Sequence, residues 1–171
     1  MPPEFPAADI SKYGMAWGGG CITEPDWIFM QRVIRDYGIK TVMEFGAGLS
    51  TLLMNERGLD VATLETMVPW IQKILSINPN LNVHPWDGKQ EQQNYAPVDM
   101  VFVDGPAGGI NREISTKIAS LASTKVVIVH DAGREWELKW QEKYLKPGFD
   151  GPVKGGIRCH LWVKKGVEAP K

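Results

Sequence analysis

Cysteine is scarce in this chain, two residues in 171, and Cys21 and Cys159 lack any metal-ligand spacing, so neither a disulfide framework nor a zinc knuckle is expected. An excess of charge is lacking too: 19 Lys+Arg stand against 20 Asp+Glu, a net −1 with histidine neutral. That balance offers no basic face for a phosphate backbone and argues against nucleic acid as a partner. Long hydrophobic runs are missing; stretches such as Val126 to Val129 are strand-sized, whereas a membrane span needs about 20 residues. The start, Met1 to Pro6, has neither the basic residues nor the apolar stretch of a signal peptide. A cytoplasmic protein with no membrane partner is the expectation.

What is present suits one domain. With 43% hydrophobic residues, a chain of this length buries roughly 70% of its unfolded surface and needs no covalent staple. Residues 1–21, with Trp17-Gly18-Gly19-Gly20 near their end, read as an irregular N-terminal arm, 22–164 as the body and 165–171 as a tail. A helix begins at Thr23, which can cap it, with Pro25 in the first turn and Asp26 three residues on to return the capping bond. Strands are expected at Thr41 to Phe45, Val61 to Leu64, Leu81 to Trp86, Val98 to Val103 and Val126 to Val129, with helices at Ser50 to Arg57, Pro69 to Ile77 and Ile110 to Leu121 between them. Apolar runs without alternation mean burial on both faces, the mark of a parallel sheet covered by helices. Arg134 to Leu145 carries helical spacing in Trp136, Trp140 and Tyr144. The strand-like pieces Phe149 to Val153 and Arg158 to Val163 are joined by Lys154-Gly155-Gly156 and must pair antiparallel, because a parallel return needs a long crossover. The expected architecture is α/β, a Rossmann-like seven-stranded, mostly parallel sheet with an antiparallel C-terminal hairpin and helices on both faces.

The chemistry gathers at strand ends. Gly46-Ala47-Gly48 turns from the first strand into a helix, where backbone amides and the positive helix end meet a ligand. Glu65 ends the second strand, 21 residues after Glu44, and an acidic group about 20 residues on is placed to accept the hydroxyls of a ribose. Thr51 stands where a dinucleotide fingerprint has glycine or alanine, and Glu44 before the turn would repel a pyrophosphate. This pattern resembles the class I S-adenosylmethionine-dependent methyltransferases, over roughly residues 22–164. The resemblance implies that Gly46, Ala47, Gly48 and Ser50 hold the methionine end of the cofactor, with Glu44 near its ammonium group. It also implies that Glu65 binds the ribose, that Asp87 meets the adenine amino group with Trp86 stacked beside it, and that Asp104 borders the site.

The acceptor side is expected from Asp104-Gly105-Pro106-Ala107-Gly108 and His130-Asp131-Ala132-Gly133-Arg134, just past the fourth and fifth strands, where open α/β sheets place their ligands. That site pattern is similar to the glucuronoxylan 4-O-methyltransferase and related xylan-biosynthesis domains, which implies transfer to oxygen of a small-molecule or carbohydrate-like acceptor. His130 is the preferred base, since an unperturbed imidazole titrates near working pH. Asp104 or Asp131 orients it or binds the acceptor hydroxyl, and Arg112 and Arg134 are placed to hold an anionic group. The cation-dependent catechol-type O-methyltransferases are similar in Asp104 and Asp131, but Ala132 stands at their asparagine position, so a divalent metal is not favoured. Exposed tryptophans would favour a homodimer. Two rival readings stay open at this level: an NAD(P)-dependent oxidoreductase, and a non-catalytic module that binds S-adenosylmethionine or S-adenosylhomocysteine.

Overall fold

A computed structural model describes residues 5, 7–89 and 95–168; parts of the expected arm and tail lie outside these. Its sheet runs in the order β3-β2-β1-β4-β5-β7-β6, with β1 Thr41–Phe45, β2 Asp60–Glu65, β3 Asn82–Pro85, β4 Val98–Val103, β5 Ser123–Val129, β6 Phe149–Gly155 and β7 Cys159–Lys164. The first five strands pair in parallel, and β7 enters antiparallel between β5 and β6. The expected sheet is therefore present, including its hairpin.

Helices α1 (Glu24–Asp36), α2 (Leu49–Glu56), α3 (Val68–Ile77), α4 (Glu113–Ala122) and α5 (Glu135–Trp140) cover both faces. On one face Trp27, Met30 and Val33 of α1 and Leu53 of α2 pack on Val42, Phe102 and Ile128. Alternate residues of the same strands, Phe45, Val101, Val103 and Val127, meet Ile118 and Ala119 of α4 on the other face. Each central strand thus buries both its residue sets, which is why its sequence runs apolar without alternation. Ile10, from the expected arm, also joins the first core. No helix among the described residues is long and apolar enough to cross a membrane.

Helix α1 starts with the reciprocal cap read from its sequence: the Thr23 hydroxyl accepts the Asp26 amide (3.3 Å) and Asp26 Oδ2 accepts the Thr23 amide (3.1 Å). Four elements differ from expectation, the first being β5, which begins at Ser123, three residues before the expected Val126. The helix expected from Ile110 begins as a 3-10 turn, Gly109–Arg112, before α4. There Arg112 folds back, its Nε donating to the Pro106 carbonyl (3.1 Å). The helix expected over 134–145 divides into α5 and a π-helical turn, Gln141–Leu145. Gln141 sits at that junction, donating to the Ala132 and Glu137 carbonyls and accepting from His160 and Trp162. The β6–β7 turn lies two residues later than expected, with Gly155 paired to Cys159.

Candidate active site

The carboxyl ends of β1, β2, β4 and β5 open into a cleft of about 440 Å³, bordered by Gly46 to Ser50, Glu65, Asp104 to Gly108, His130, Asp131 and Arg134. A second hollow of about 450 Å³, bordered by Thr66, Asp87 and Gly88, shares Pro106 and Ala107 with it. The two are neighbours along the sheet edge, each of a size suited to part of a nucleoside-containing ligand. The cleft crosses the switch point where the chain leaves β1 for β2 on one side and β4 lies on the other.

The turn after β1 is held tightly. Gly46 has φ +96°, and a Cβ there would stand 3.1 Å from the Asp104 carbonyl carbon, so glycine is required both by backbone conformation and by the neighbouring loop. Glu65 braces the same turn: Oε2 accepts the Ala47 amide (2.8 Å) and Oε1 the Met67 amide (2.8 Å). Oε1 also accepts the Thr66 hydroxyl (3.4 Å); Oε2, with one donor, keeps acceptor capacity in the cleft that Glu65 borders. Trp70, on α3, donates its indole N–H to the Ala47 carbonyl.

Glu44 lies below the cleft and does not border it. It is completely buried and accepts the hydroxyls of Ser50 (2.5 Å), Thr51 (2.5 Å) and Thr63 (2.8 Å). Burial pushes its carboxyl up to about 7, against the opposing pull of those three donors. Glu44, expected near the cofactor's ammonium group, here serves as a buttress beneath the turn: Thr51 accepts the Gly48 amide (2.9 Å) while donating to Glu44, tying β1 to the start of α2. Thr51 and Thr63 carry functions in this buttress that their sequence positions did not announce. Trp86 likewise turns into the core, 5.1 Å from the Phe45 ring, and borders neither hollow; Asp87 borders the second.

On the β4 and β5 side of the cleft His130, Asp104 and Asp131 meet. His130 Nδ1 lies 2.8 Å from Asp104 Oδ1, and its Nε2 stands 3.4 Å from Asp26 Oδ2, a close ionic contact outside aligned hydrogen-bond geometry. Burial opposes a charge on this ring, but Asp104 and Asp26 outweigh it and raise its pKa to about 9. The shift favours the imidazolium at neutral pH, whereas the sequence reading took an unperturbed imidazole. Asp26 was legible only as a helix cap. It is fully buried, and burial would raise its pKa, but His130, the Thr23 hydroxyl and the amides of Arg158 and Ile157 hold it well below the usual carboxylate range.

The two arginines expected to hold an anion have different surroundings. Arg112 is 4% exposed, and its guanidinium donates to the carbonyls of Pro106 (3.1 Å), His130 (2.8 Å) and Asp104 (2.9 Å). These bonds lock the loops after β4 and β5 together, and Arg112, which also borders the cleft, lies 3.3 Å from Asp104 Oδ1. Arg134, 54% exposed, rests on Asp131 Oδ2 at 2.9 Å. Arg158, in the β6–β7 turn, was not anticipated: it reaches Asp131 Oδ1 at 3.2 Å and the Cys21 carbonyl at 3.0 Å. Asp131 itself has φ +53°, a conformation uncommon for a residue other than glycine and one that concentrates at functional sites.

No protein-family model matches the sequence, and neither does the sequence of a curated protein. Solved structures do match in shape. An O-methyltransferase from Bacillus cereus in complex with S-adenosylhomocysteine aligns over 91% of this chain and 87% of its own, at 20% identity and TM-score 0.65. The fold is that of the Rossmann-like S-adenosylmethionine-dependent methyltransferases. A TehB-like S-adenosylmethionine-dependent methyltransferase from Corynebacterium glutamicum aligns over 74% of this chain and 80% of its own, at 17% identity and TM-score 0.58. A T. thermophilus 16S rRNA methyltransferase, in complex with S-adenosylmethionine and guanosine, aligns over 86% of this chain and 45% of its own, at 17% identity and TM-score 0.57. Within this methyltransferase fold the antiparallel β7 separates β5 from β6, an arrangement that departs from the 3-2-1-4-5-6 order of dinucleotide-binding domains.

Proposed function

We propose that this protein is an S-adenosylmethionine-dependent methyltransferase acting on oxygen of a small-molecule or carbohydrate-like acceptor. The observation that carries the reading is that Glu65 and the Asp104–His130 pair border one cleft. Gly46, Ala47, Gly48 and Ser50 would surround the methionine portion, Glu65 would accept a ribose hydroxyl on Oε2, and Asp87 would reach the adenine end. The chemistry of these residues fits that group: a carboxylate for a ribose hydroxyl, the positive start of α2 for an amino-acid carboxylate, and two adjoining hollows along the sheet edge. When bound, the cofactor supplies an electrophilic methyl group on a sulfonium. The rest falls to this chain, which must align an acceptor hydroxyl in line with that methyl and take its proton.

Because the carboxylates around His130 favour its protonated ring, the proton acceptor is assigned to a carboxylate. Asp104 is the one that borders the cleft and touches His130; its Oδ1 receives the Nδ1 hydrogen bond, and its second oxygen takes the acceptor's proton. His130 acts through Asp104, holding it in place with Asp26 behind. Asp131 flanks the same position. The near-zero net charge supports a small acceptor over a nucleic acid, and the similarity of the Asp104 to Gly108 and His130 to Arg134 segments to glucuronoxylan methyltransferase domains supports a carbohydrate-like one. The test is incubation with S-adenosylmethionine carrying a labelled methyl group and a panel of hydroxyl-bearing sugars, sugar acids and phenols. Methylation of one class, reduced by roughly 10²–10⁴ in Asp104→Asn, is expected; turnover unaffected by that change would remove Asp104 from the reaction.

A further inference from the structure

On the side of His130 away from Asp104, three ligand groups of different chemistry meet in the interior. Asp26 of α1, His130 after β5 and Cys159 of β7 are all buried, and a carboxylate oxygen, Nε2 and Sγ lie within 4.8 Å of one another. His130 Nε2 stands 3.4 Å from Asp26 Oδ2, and Cys159 Sγ stands 3.7 Å from Asp26 Oδ1. A tetrahedral zinc ion with bonds of about 2.0–2.3 Å separates neighbouring ligand atoms by roughly 3.3–3.7 Å, and these gaps match that spacing. His130 points the same way independently. Its side chain is 3% exposed, and Nε2, aimed at Asp26, has no hydrogen-bond partner. Its other nitrogen, Nδ1, lies 2.8 Å from Asp104 Oδ1. A metal-bound histidine characteristically gives its second ring N–H to a carboxylate in this manner, which fixes the tautomer.

Asp26 already has several donors. Oδ1 accepts the Ile157 and Arg158 amides, and Oδ2 accepts the Thr23 amide and hydroxyl. Of these only the hydroxyl can turn its proton away, which opens a lone pair on Oδ2, the oxygen beside His130. Charge is balanced as well. Around this loop the guanidinium groups of Arg112, Arg134 and Arg158 and the imidazolium of His130 face the carboxylates of Asp26, Asp104, Asp131 and Glu137. A doubly charged ion in place of the His130 Nε2 proton and the Cys159 thiol proton leaves that balance unchanged, since a coordinating thiol gives up its proton. The three residues stand 104 and 29 positions apart, so no local spacing announces them.

We propose that Asp26, His130 and Cys159 form a zinc site that fastens α1, the loop after β5 and β7 to one another and holds His130 as an Nδ1–H donor to Asp104. The nitrogen and sulfur ligands select zinc over magnesium and calcium, which take oxygen. As zinc binds, Cys159 becomes a thiolate, His130 Nε2 becomes a neutral ligand, and both protons leave to the solvent. Protein stripped of metal holds those protons again. Arg158 stays on Asp131 and on the Cys21 carbonyl. The site is defined by these residues alone and does not depend on the methyltransferase reading.

The experiment unfolds the whole chain in urea with chelator, removes the chelator, and refolds it with Zn²⁺, Co²⁺ or Mg²⁺, so that burial of the site does not bar entry. About one Zn²⁺ per chain should survive gel filtration and raise the melting temperature above that of the metal-free protein. The cobalt form should show a thiolate-to-metal charge-transfer band in the near ultraviolet. Cys159→Ala should lose that band and bind Zn²⁺ at least about tenfold more weakly, while Cys21→Ala, which removes the other thiol, should keep both. Asp104→Asn should keep the band and weaken Zn²⁺ by roughly 10–100-fold, as loss of the carboxylate behind a ligating histidine does. Failure to retain Zn²⁺, a cobalt spectrum without the thiolate band, or unaltered affinity in a folded Cys159→Ala overturns the site. Loss of the band in Cys21→Ala overturns it too, as does Mg²⁺ held as tightly as Zn²⁺, which would give the ion to the oxygens of Asp104 and Asp131. If Cys159→Ala does not fold, the cobalt spectra of the unmodified protein and of Cys21→Ala still decide which thiol binds.

Discussion

Replacing His130 by glutamine should remove a specific component of the protein's pH-dependent stability. The ring's pKa, about 6.5 when unperturbed, is raised to about 9 in the fold by Asp104 and Asp26 against the opposing effect of burial. A raised pKa stabilises the state that holds the proton, so the contribution is complete below about 6.5 and is lost as pH climbs through 9. At 1.36 kcal/mol per unit the contribution is about 3 kcal/mol, a large share of the 5–15 kcal/mol that small domains have in total. Urea unfolding of both proteins at several pH values between 6 and 10 measures it. Burial also raises the Cys21 and Cys159 thiols and the Glu44 carboxyl, but these groups remain in both proteins, so the difference curve isolates His130. The unmodified protein should lose about 3 kcal/mol more than His130→Gln across that window. Parallel curves would refute the imidazolium assignment and return His130 to the role of a neutral base.

Two further outcomes follow from the same geometry. The Glu44 carboxyl, raised to about 7 by burial, opposes folding increasingly as pH rises from its unfolded value near 4.3 through 7, so Glu44→Gln should gain about 3 kcal/mol relative to the unmodified protein between pH 4 and 8, read by the same unfolding series; an unchanging difference would contradict it. A Cβ at Gly105 would stand 2.9 Å from the Gly46 Cα and amide nitrogen, where two backbones meet, so Gly105→Ala should cost about 1–3 kcal/mol in urea unfolding, and an unaltered midpoint would show that the loops can part without penalty.

The parallel core was legible because β1 and β4 are buried on both faces and their sequences say so directly. Helix α1 was equally open to reading, since Thr23 and Asp26 form a cap that depends only on neighbours three residues apart. The misplaced elements are those decided by tertiary bonds. β5 begins at Ser123, earlier than its apolar run, because Ser123 pairs with Val98 and its hydroxyl reaches the Val126 carbonyl. The wide turn after Trp140 centres on Gln141, whose partners His160 and Trp162 lie about twenty residues on. At the site, Glu65 and the Asp104 and Asp131 loops could be anticipated from strand ends, while Arg158 could not. Its distance from Asp131 is set by the β7 insertion, and no local pattern in Gly156-Ile157-Arg158 marks it. Asp26 shows the same limit: the capping role read from its spacing is real, and the proximity of His130, 104 positions away, appears only when α1 packs against the sheet.

The most direct test of the account is calorimetric titration with S-adenosylmethionine, S-adenosylhomocysteine and NAD, on the unmodified protein and on Glu65→Gln. The account predicts micromolar binding of the two sulfur nucleosides, weakened at least about tenfold by the substitution, with NAD silent. Binding of NAD in their place, or affinity indifferent to Glu65, would contradict it.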